Sequence, residues 1–285
     1  KPKNVEDIVK KTVKKGKVIK DLLYEHPKTG KRYEKEIEIP FYKHQERLVL
    51  KQNGLIDLTS IDDYIAIGGY GGLEKALRKK KEKVLEEVIQ SGLRGRGGAG
   101  FPTGRKWEIC ANSEASPKYL ICNADEGDPG AFMDRSILEG NPHAVIEGLL
   151  IGALAIGASQ GYVYVRQEYP LAVERLTIAL EQAREMGLLG KNILGKKLDF
   201  DIRINRGGGA FVCGEESAMI ASIEGKRGVP RRRPPYPADK GLFGKPTNIN
   251  NVETWATVPL ILAKGAKWYS KIGTAGSKGD RKSVV

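Results

Sequence analysis

From Lys118 to Gly225 the chain repeats one pattern, and that pattern narrows the fold more than any other feature. A short apolar run is followed by a glycine-rich or acidic loop, and then by a segment of helical length. Lys118–Cys122, Gly161–Arg166 and Asp199–Asn205 read as strands. Between them, Asn141-Pro142 supplies an N-cap and a first-turn proline for a helix running to about Ala158. Pro170–Met186 is a second, amphipathic helix stopped by Gly187, and Glu215–Glu224 a third closed by Gly225. Strands separated by long helices need crossover connections, and such connections build a largely parallel sheet with flanking helices. The expected class is α/β. Ligands of such sheets gather at the carboxyl ends of the strands, and every unusual loop here follows a strand or flanks that edge.

Upstream the signals are weaker. Lys1–Leu23 sets Val and Ile among lysines as a short helix would, and His26–Gly30 reads as a turn. Lys35–Pro40 alternates charged and apolar residues (Glu36, Ile37, Glu38, Ile39), the pattern of an edge strand. Leu55–Gly72 is broken by polar residues and by Gly68-Gly69-Tyr70-Gly71-Gly72. In Leu73–Ser91 the apolar positions Leu77, Val84, Leu85 and Val88 recur at helical spacing, which predicts one amphipathic helix. The expected organisation is a basic N-terminal helical and extended region (1–72), an α/β domain (73–270) and a tail (271–285).

Cys110, Cys122 and Cys213 are too scattered for a disulfide scaffold or a close-spaced metal site, and reduced thiols suit a cytoplasmic chain. The lysine-rich first twenty residues lack the apolar stretch of a signal peptide. The longest apolar run, Ala144–Ala158, contains Glu147 and falls short of the ~20 residues a membrane span needs, so a soluble protein without direct membrane insertion is expected. The formal net charge is +13, and residues 1–51 carry 15 Lys and Arg against 8 Asp and Glu. Such a region can bind nucleic acid. No aromatic-interleaved basic motif or recognition helix accompanies it, so a solvated or partner-facing extension is the plainer reading.

Glycine makes up 35 of the 285 residues, well above the usual ~7%, and it is clustered in loops. Gly95-Arg96-Gly97-Gly98-Ala99-Gly100 matches G-x-G-x-x-G, but it follows a helix, with no strand before it and no helix expected directly after it. What remains is bare backbone with free N–H groups, beside Arg94, Arg96, Arg105 and Lys106. That suits a phosphate or a flat ring, with Phe101-Pro102 able to stack on it; a tight structural turn would use the same residues. Asn123–Asp128 places the carboxylates of Asp125, Glu126 and Asp128 at a strand end, as a solvated loop or as a binder of sugar hydroxyls. Arg206–Ser217 has strand, glycine loop and helix in the order of a phosphate cradle, yet Glu215 and Glu216 would repel a phosphate. Hydroxyl or amide recognition, or a plain capped helix, fits better there. Arg231–Pro237 is a stiff basic segment with Tyr236, either an interaction peptide or an anion clamp. Lys245–Asn251 offers amides, as turns also do. His26, His44 and His143 are the only histidines, and no nucleophile–base set is evident, so hydrolase chemistry is not expected.

Taken together these segments are far more specific than any one alone. Ser91–Gly104, Cys122–Glu126, Cys213–Glu216, Gly244–Thr247 and Asn250–Thr254 occur in the order found in the flavin-binding, NADH-oxidising subunit of respiratory complex I and its soluble relatives. The resemblance covers about Leu73 to Pro259. Ile39–Lys43 and Ile61–Tyr70 are more similar to the soluble branch, the diaphorase subunits of multimeric, often electron-bifurcating, hydrogenases and formate dehydrogenases. It implies a Rossmann-like fold, bound FMN, and NAD(H) stacked on it. Hydride passes between the two, then single electrons pass to iron–sulfur clusters, so no protein nucleophile is needed. By motif position Gly95, Arg96, Gly97, Gly98, Lys106, Asn123, Asp125, Glu126, Gly214, Glu215 and Glu216 meet FMN, with its phosphate held from Asn250 and Asn251. Phe101, Asp128, Phe211, Glu216, Arg233 and Tyr236 fall where the family contacts the nicotinamide nucleotide. Glu216 and Asp128 position the hydride transfer, and no acid or base is catalytic.

Asp128 stands where the complex I chain usually has Glu, Phe211 where Tyr is common, and Arg233 where Lys is common. These departures bear on flavin electronics and on NAD against NADP. The family continues into a β-grasp-like domain and a helical domain with a cysteine-ligated [4Fe-4S] cluster. This sequence carries no such cysteines, so no metal site is expected within it, and it reads as part of a longer subunit. The implied partners are a [2Fe-2S] thioredoxin-like ferredoxin subunit and a catalytic iron–sulfur subunit, in a hydrogenase, a formate dehydrogenase or a respiratory NADH:quinone oxidoreductase.

Overall fold

The computed structural model describes residues 2–279, and the chain divides into two units, Lys1–Arg47 and Leu48–Val285. In the first, short helical turns cover Pro2–Val13 and Lys20–Leu22. Strands β1 (Tyr24–Glu25) and β2 (Arg32–Tyr33) form a small antiparallel hairpin around the expected turn. Arg32 ties it down through Asp21 and Glu25, at 3.0 and 2.9 Å. The edge strand expected at Lys35–Pro40 is instead a 3-10 turn over Glu36–Glu38 and a short helix, Pro40–Lys43. A two-residue β2 offers no ladder to extend, and Pro40 at a first helical position favours the turn.

The second unit holds the sheet: β3 (Tyr119–Ala124), β4 (Gln160–Arg166), β5 (Asp201–Gly207) and β6 (Thr247–Asn251), all parallel, in the order β5-β4-β3-β6. Around it lie α1 (Ile61–Ala66), α2 (Gly71–Leu77), α3 (Lys81–Ser91), α4 (Thr103–Asn112), α5 (Met133–Gly140), α6 (Pro142–Ile156), α7 (Pro170–Glu185), α8 (Glu216–Ile223) and α9 (Val252–Lys264). The α/β class and the parallel sheet are as the sequence predicts. From β3 the chain builds outward through β4 to β5, then returns to lay β6 on the other side of β3. That reversal places a crevice at the carboxyl ends of β3 and β6.

Three local expectations change. The single helix expected over Leu73–Ser91 is two, α2 and α3, broken where Lys80 turns extended within the cationic run Arg78–Lys81. Asn141 occupies the N-cap position of α6 but makes no capping bond; Pro142 alone starts that helix. The compact unit also begins at Leu48 rather than at residue 73, because Ile61, Tyr64 and Tyr70 are buried in its core. Glu147 explains this attachment. Its carboxylate, inside apolar α6, accepts the Tyr64 hydroxyl at 2.6 Å and the N–H groups of Tyr70 and Leu73 at 2.8 and 2.9 Å. It thereby caps α2 from another element, where an anion also meets the positive end of the helix dipole. Among the described residues no helix is long and apolar enough to cross a membrane. Residues 280–285 of the expected tail lie outside the described residues.

Candidate functional site

Four loops meet at the β3–β6 crevice. Gly95–Gly100 leaves α3 and, against expectation, runs within three residues into a helix, α4. Its ends are laced by Gly95 N–H to the Phe101 carbonyl and Thr103 N–H to the Leu93 carbonyl, both at 2.9 Å. Arg94 closes the bend by donating to Gly100 O at 2.6 Å and to Gly276 O at 3.0 Å. Arg96 N–H donates to the Thr254 hydroxyl of α9 at 3.0 Å, which sets the bend over the start of that helix. A Cβ at Gly97 would lie 3.5 Å from that of Asn251, and Gly98 has φ +105°, a conformation that favours glycine.

Charge joins the remaining walls. Lys106 of α4 donates to the Ile249 carbonyl at 2.6 Å and pairs with Glu216 at the start of α8. Arg233 pairs with Glu215 and lies 3.5 Å from Glu216. Glu215 caps α8, accepting from the N–H groups of Ser217 and Ala218 at 2.9 and 3.0 Å. Burial pushes its carboxyl up, but the bonds from Ser217, Ala218 and Arg233 outweigh burial and hold it below its ordinary range. Asn123 donates to the Gly214 carbonyl at 3.0 Å, linking the end of β3 to the start of this wall.

The expected site residues fall into two groups. Gly95, Gly97, Gly98, Lys106, Asn123, Asp125, Gly214, Glu216 and Arg233 belong to these converging loops. Several others use their side chains for support. Glu126 accepts from the N–H groups of Asp134 and Arg135 at 3.0 and 3.1 Å, capping α5. Asn250 accepts from the Trp107 indole at 2.9 Å, and Asn251 caps α9 through Glu253 N–H at 2.8 Å. The Arg96 guanidinium donates to Tyr269 and to Lys278 O, at 3.2 and 2.8 Å. Phe101, Phe211 and Tyr236 are exposed aromatics, and Asp128 is also exposed. The Phe211 ring lies against bare Gly127. Strand β6 is hidden in the sequence because Thr-Asn-Ile-Asn-Asn has turn composition; most of its polar side chains are buried, and Asn248 donates to Asn250 at 2.8 Å. Thr254, Arg166 and Asp134 also belong to the site's surroundings, and nothing local in the sequence distinguishes them.

Asp134 is buried and accepts from Asn251 at 2.6 Å. Burial first, and the nearby Glu126 charge second, push its carboxyl up to about 8. The folded state therefore holds a proton that the unfolded chain releases near pH 4, and stability falls as pH rises from about 4 to about 8. Asp134→Asn is expected to flatten that fall. In urea titrations at pH 5 and pH 9, the variant should gain on the parent by on the order of 4 kcal/mol. Parallel pH profiles would show that Asp134 is not the titrating group.

An α/β sheet whose switch-point crevice is lined by bare backbone and a ladder of paired charges, without a nucleophile–base set, defines a nucleotide-cofactor-binding module. Residues 88–260 match the family model described as the Nuo51 FMN-binding domain, and the chain belongs to that family. It is 57% identical over 239 residues to the NADP-reducing hydrogenase subunit HndC of Solidesulfovibrio fructosivorans, covering 84% of this chain and 49% of that protein. It is 51% identical over 234 residues to an NADH-quinone oxidoreductase subunit of Aquifex aeolicus, covering 82% and 55%. Among solved structures it resembles an NAD+-reducing [NiFe]-hydrogenase in the air-oxidized state, at TM-score 0.69 and 38% identity, covering 82% of this chain and 38% of that one. The chain thus spans about half the length, or less, of these relatives.

Proposed function

We propose that the chain is the FMN-binding module of an NAD(P)H-linked oxidoreductase complex of the soluble hydrogenase or formate dehydrogenase type. The observation that carries this reading is the convergence of two bare glycine segments on the end of β3 and the start of α9. Bare Gly97 lies against Asn251, where a Cβ would meet the Asn251 Cβ at 3.5 Å, and the bare Cα of Gly214 lies beside Asp125, whose Oδ2 is buried and has no hydrogen-bond partner among the described residues. Glycine backbone accepts a flat ring, and a lone buried carboxylate oxygen suits a ligand hydroxyl. The residues fit FMN.

When bound, FMN supplies exchange of a hydride with the nicotinamide and release of electrons one at a time. The chain supplies placement. Gly95, Gly97 and Gly98 would hold the ring, Asn123 and Asp125 its hydroxyls, and the N–H groups at the start of α9, after Asn250 and Asn251, its phosphate. Lys106, Glu216 and Arg233 hold the walls at a fixed separation, and Phe101, Phe211 and Tyr236 offer ring surface to a nicotinamide nucleotide. Asp128 and Glu216 orient that nucleotide for transfer. The proposed acceptors are iron–sulfur centres, a [4Fe-4S] cluster of the longer subunit and a [2Fe-2S] thioredoxin-like partner, within a cytoplasmic multisubunit complex. Likeness to the NADH-quinone oxidoreductase of Aquifex aeolicus keeps a respiratory diaphorase as the second reading. The nucleic-acid reading finds no support among the relatives.

The test is an absorbance spectrum of the purified protein after incubation with FMN and gel filtration, before and after anaerobic NADH. Retained flavin bands that bleach with NADH are expected. A protein that stays colourless overturns the proposal.

A further inference from the structure

Arg166, the last residue of β4, is absent from every motif that identifies the family here, yet it sits where three loops of the slot meet. Its Nη2 donates to Glu168 at 2.9 Å and to the Gly209 carbonyl, in the loop after β5, at 3.3 Å. Its Nη1 lies 3.6 Å from Asp125 Oδ1, too far for a hydrogen bond. The two side chains are nearly enclosed, 14% and 1% exposed. Among the described residues Nη1 and Asp125 Oδ2 are both buried without a hydrogen-bond partner. Oδ2 lies toward Gly214, 3.7 Å from where a Cβ there would sit. A Cβ at Gly127 would come within 2.7 Å of Nη1, so this neighbour's lack of a side chain leaves room for the guanidinium.

A buried donor and a buried acceptor, close but unbonded, are costly unless a third group completes them. Arg166 is anchored by Glu168 and the Gly209 carbonyl, while the buried Asp125 Oδ2, on the Gly214 side, has no hydrogen-bond partner among the described residues. We propose that Arg166 is a positioning residue: it clamps Asp125 so that its free oxygen receives the hydroxyls of the flavin's side chain, and it leaves the ring contact to the glycines. The inference rests on the flavin reading above. Burial, helped by the Glu168 charge, pushes the Asp125 carboxyl up, and the Arg166 charge only partly opposes this.

The test compares riboflavin with lumiflavin, which has the same ring but no hydroxyl chain, by fluorescence titration of the full chain. For Arg166→Met we expect riboflavin affinity to fall at least tenfold and lumiflavin affinity to change less than twofold. Arg166→Lys should recover part of the loss. In Asp125→Asn the Arg166→Met change should have little further effect, since both act on the same hydroxyls. Equal losses for both flavins would mean that Arg166 only holds the loops together, and that outcome overturns the proposal, as does an unchanged riboflavin affinity. If Arg166→Met fails to fold, Arg166→Lys and Asp125→Asn decide by the same comparison. A parent protein that binds neither flavin overturns the flavin reading itself, which is a distinct result.

Discussion

Gly97→Leu is expected to weaken FMN binding by at least a hundredfold, close to 3 kcal/mol, while the unfolding temperature moves by only a few degrees. The two halves of this expectation have separate causes. At Gly97 the backbone is in a region open to any residue, and a Cβ would meet only the Asn251 Cβ at an ordinary 3.5 Å. A side chain there strains nothing in the protein alone. The further carbons of leucine, however, have to project past Asn251 along the bend, where the ring is proposed to lie. Gly98 is a poorer probe, because at φ +105° any substitution distorts the bend whether or not a ligand is present. Retained flavin after gel filtration and the thermal melt together check the result. Unchanged flavin content in Gly97→Leu, with a normal melt, would remove the ring from this bend.

Much of this slot is legible in the sequence, for a physical reason. Bare backbone can come only from glycine, so the Gly95–Gly98 and Gly214 segments stand out as loops, but the sequence leaves Asp125 between a solvated loop and a ligand, and Gly214 between a ligand loop and a plain capped helix. The strands β3 and β4 are plain as apolar runs bounded by loops, and β5 as an alternation of charged and apolar residues. β6 is not, because its burial is made acceptable by bonds such as Trp107 to Asn250, between residues 143 positions apart. The same holds for function at a distance. Glu147 in an apolar run looks like a mere interruption until Tyr64, Tyr70 and Leu73 are seen to surround it. Glu126, Asn251 and Glu215 show the converse. Their place near the site is readable, but their side chains cap α5, α9 and α8, and only the three-dimensional arrangement tells a cap from a ligand.

The second large effect concerns what holds the slot's far wall. Gly148→Ala is expected to destabilise the protein by more than about 3 kcal/mol and to weaken FMN binding along with it. Helix propensity alone predicts the opposite sign, since alanine in a helix interior is better than glycine by about 1 kcal/mol. Space decides. A Cβ at Gly148 would overlap the Trp255 carbonyl oxygen and lie 2.7 Å from its carbonyl carbon, so α6 and α9 pack backbone against backbone at this point. No rotamer relieves a clash with main chain; the helices must part. One turn along, a Cβ at Gly152 would come within 2.6 Å of the Trp255 ring, which is a side chain and can shift, so Gly152→Ala should cost less. The Trp255 indole donates to the Ile121 carbonyl of β3 at 3.2 Å, and α9 opens with Asn251 and Thr254 at the slot. Parting α6 from α9 therefore moves the wall on which the Gly95–Gly100 bend rests. Urea denaturation and FMN titration of both variants check this ordering. A Gly148→Ala protein as stable as its parent would mean that the close approach of the two helices is not what fixes the slot.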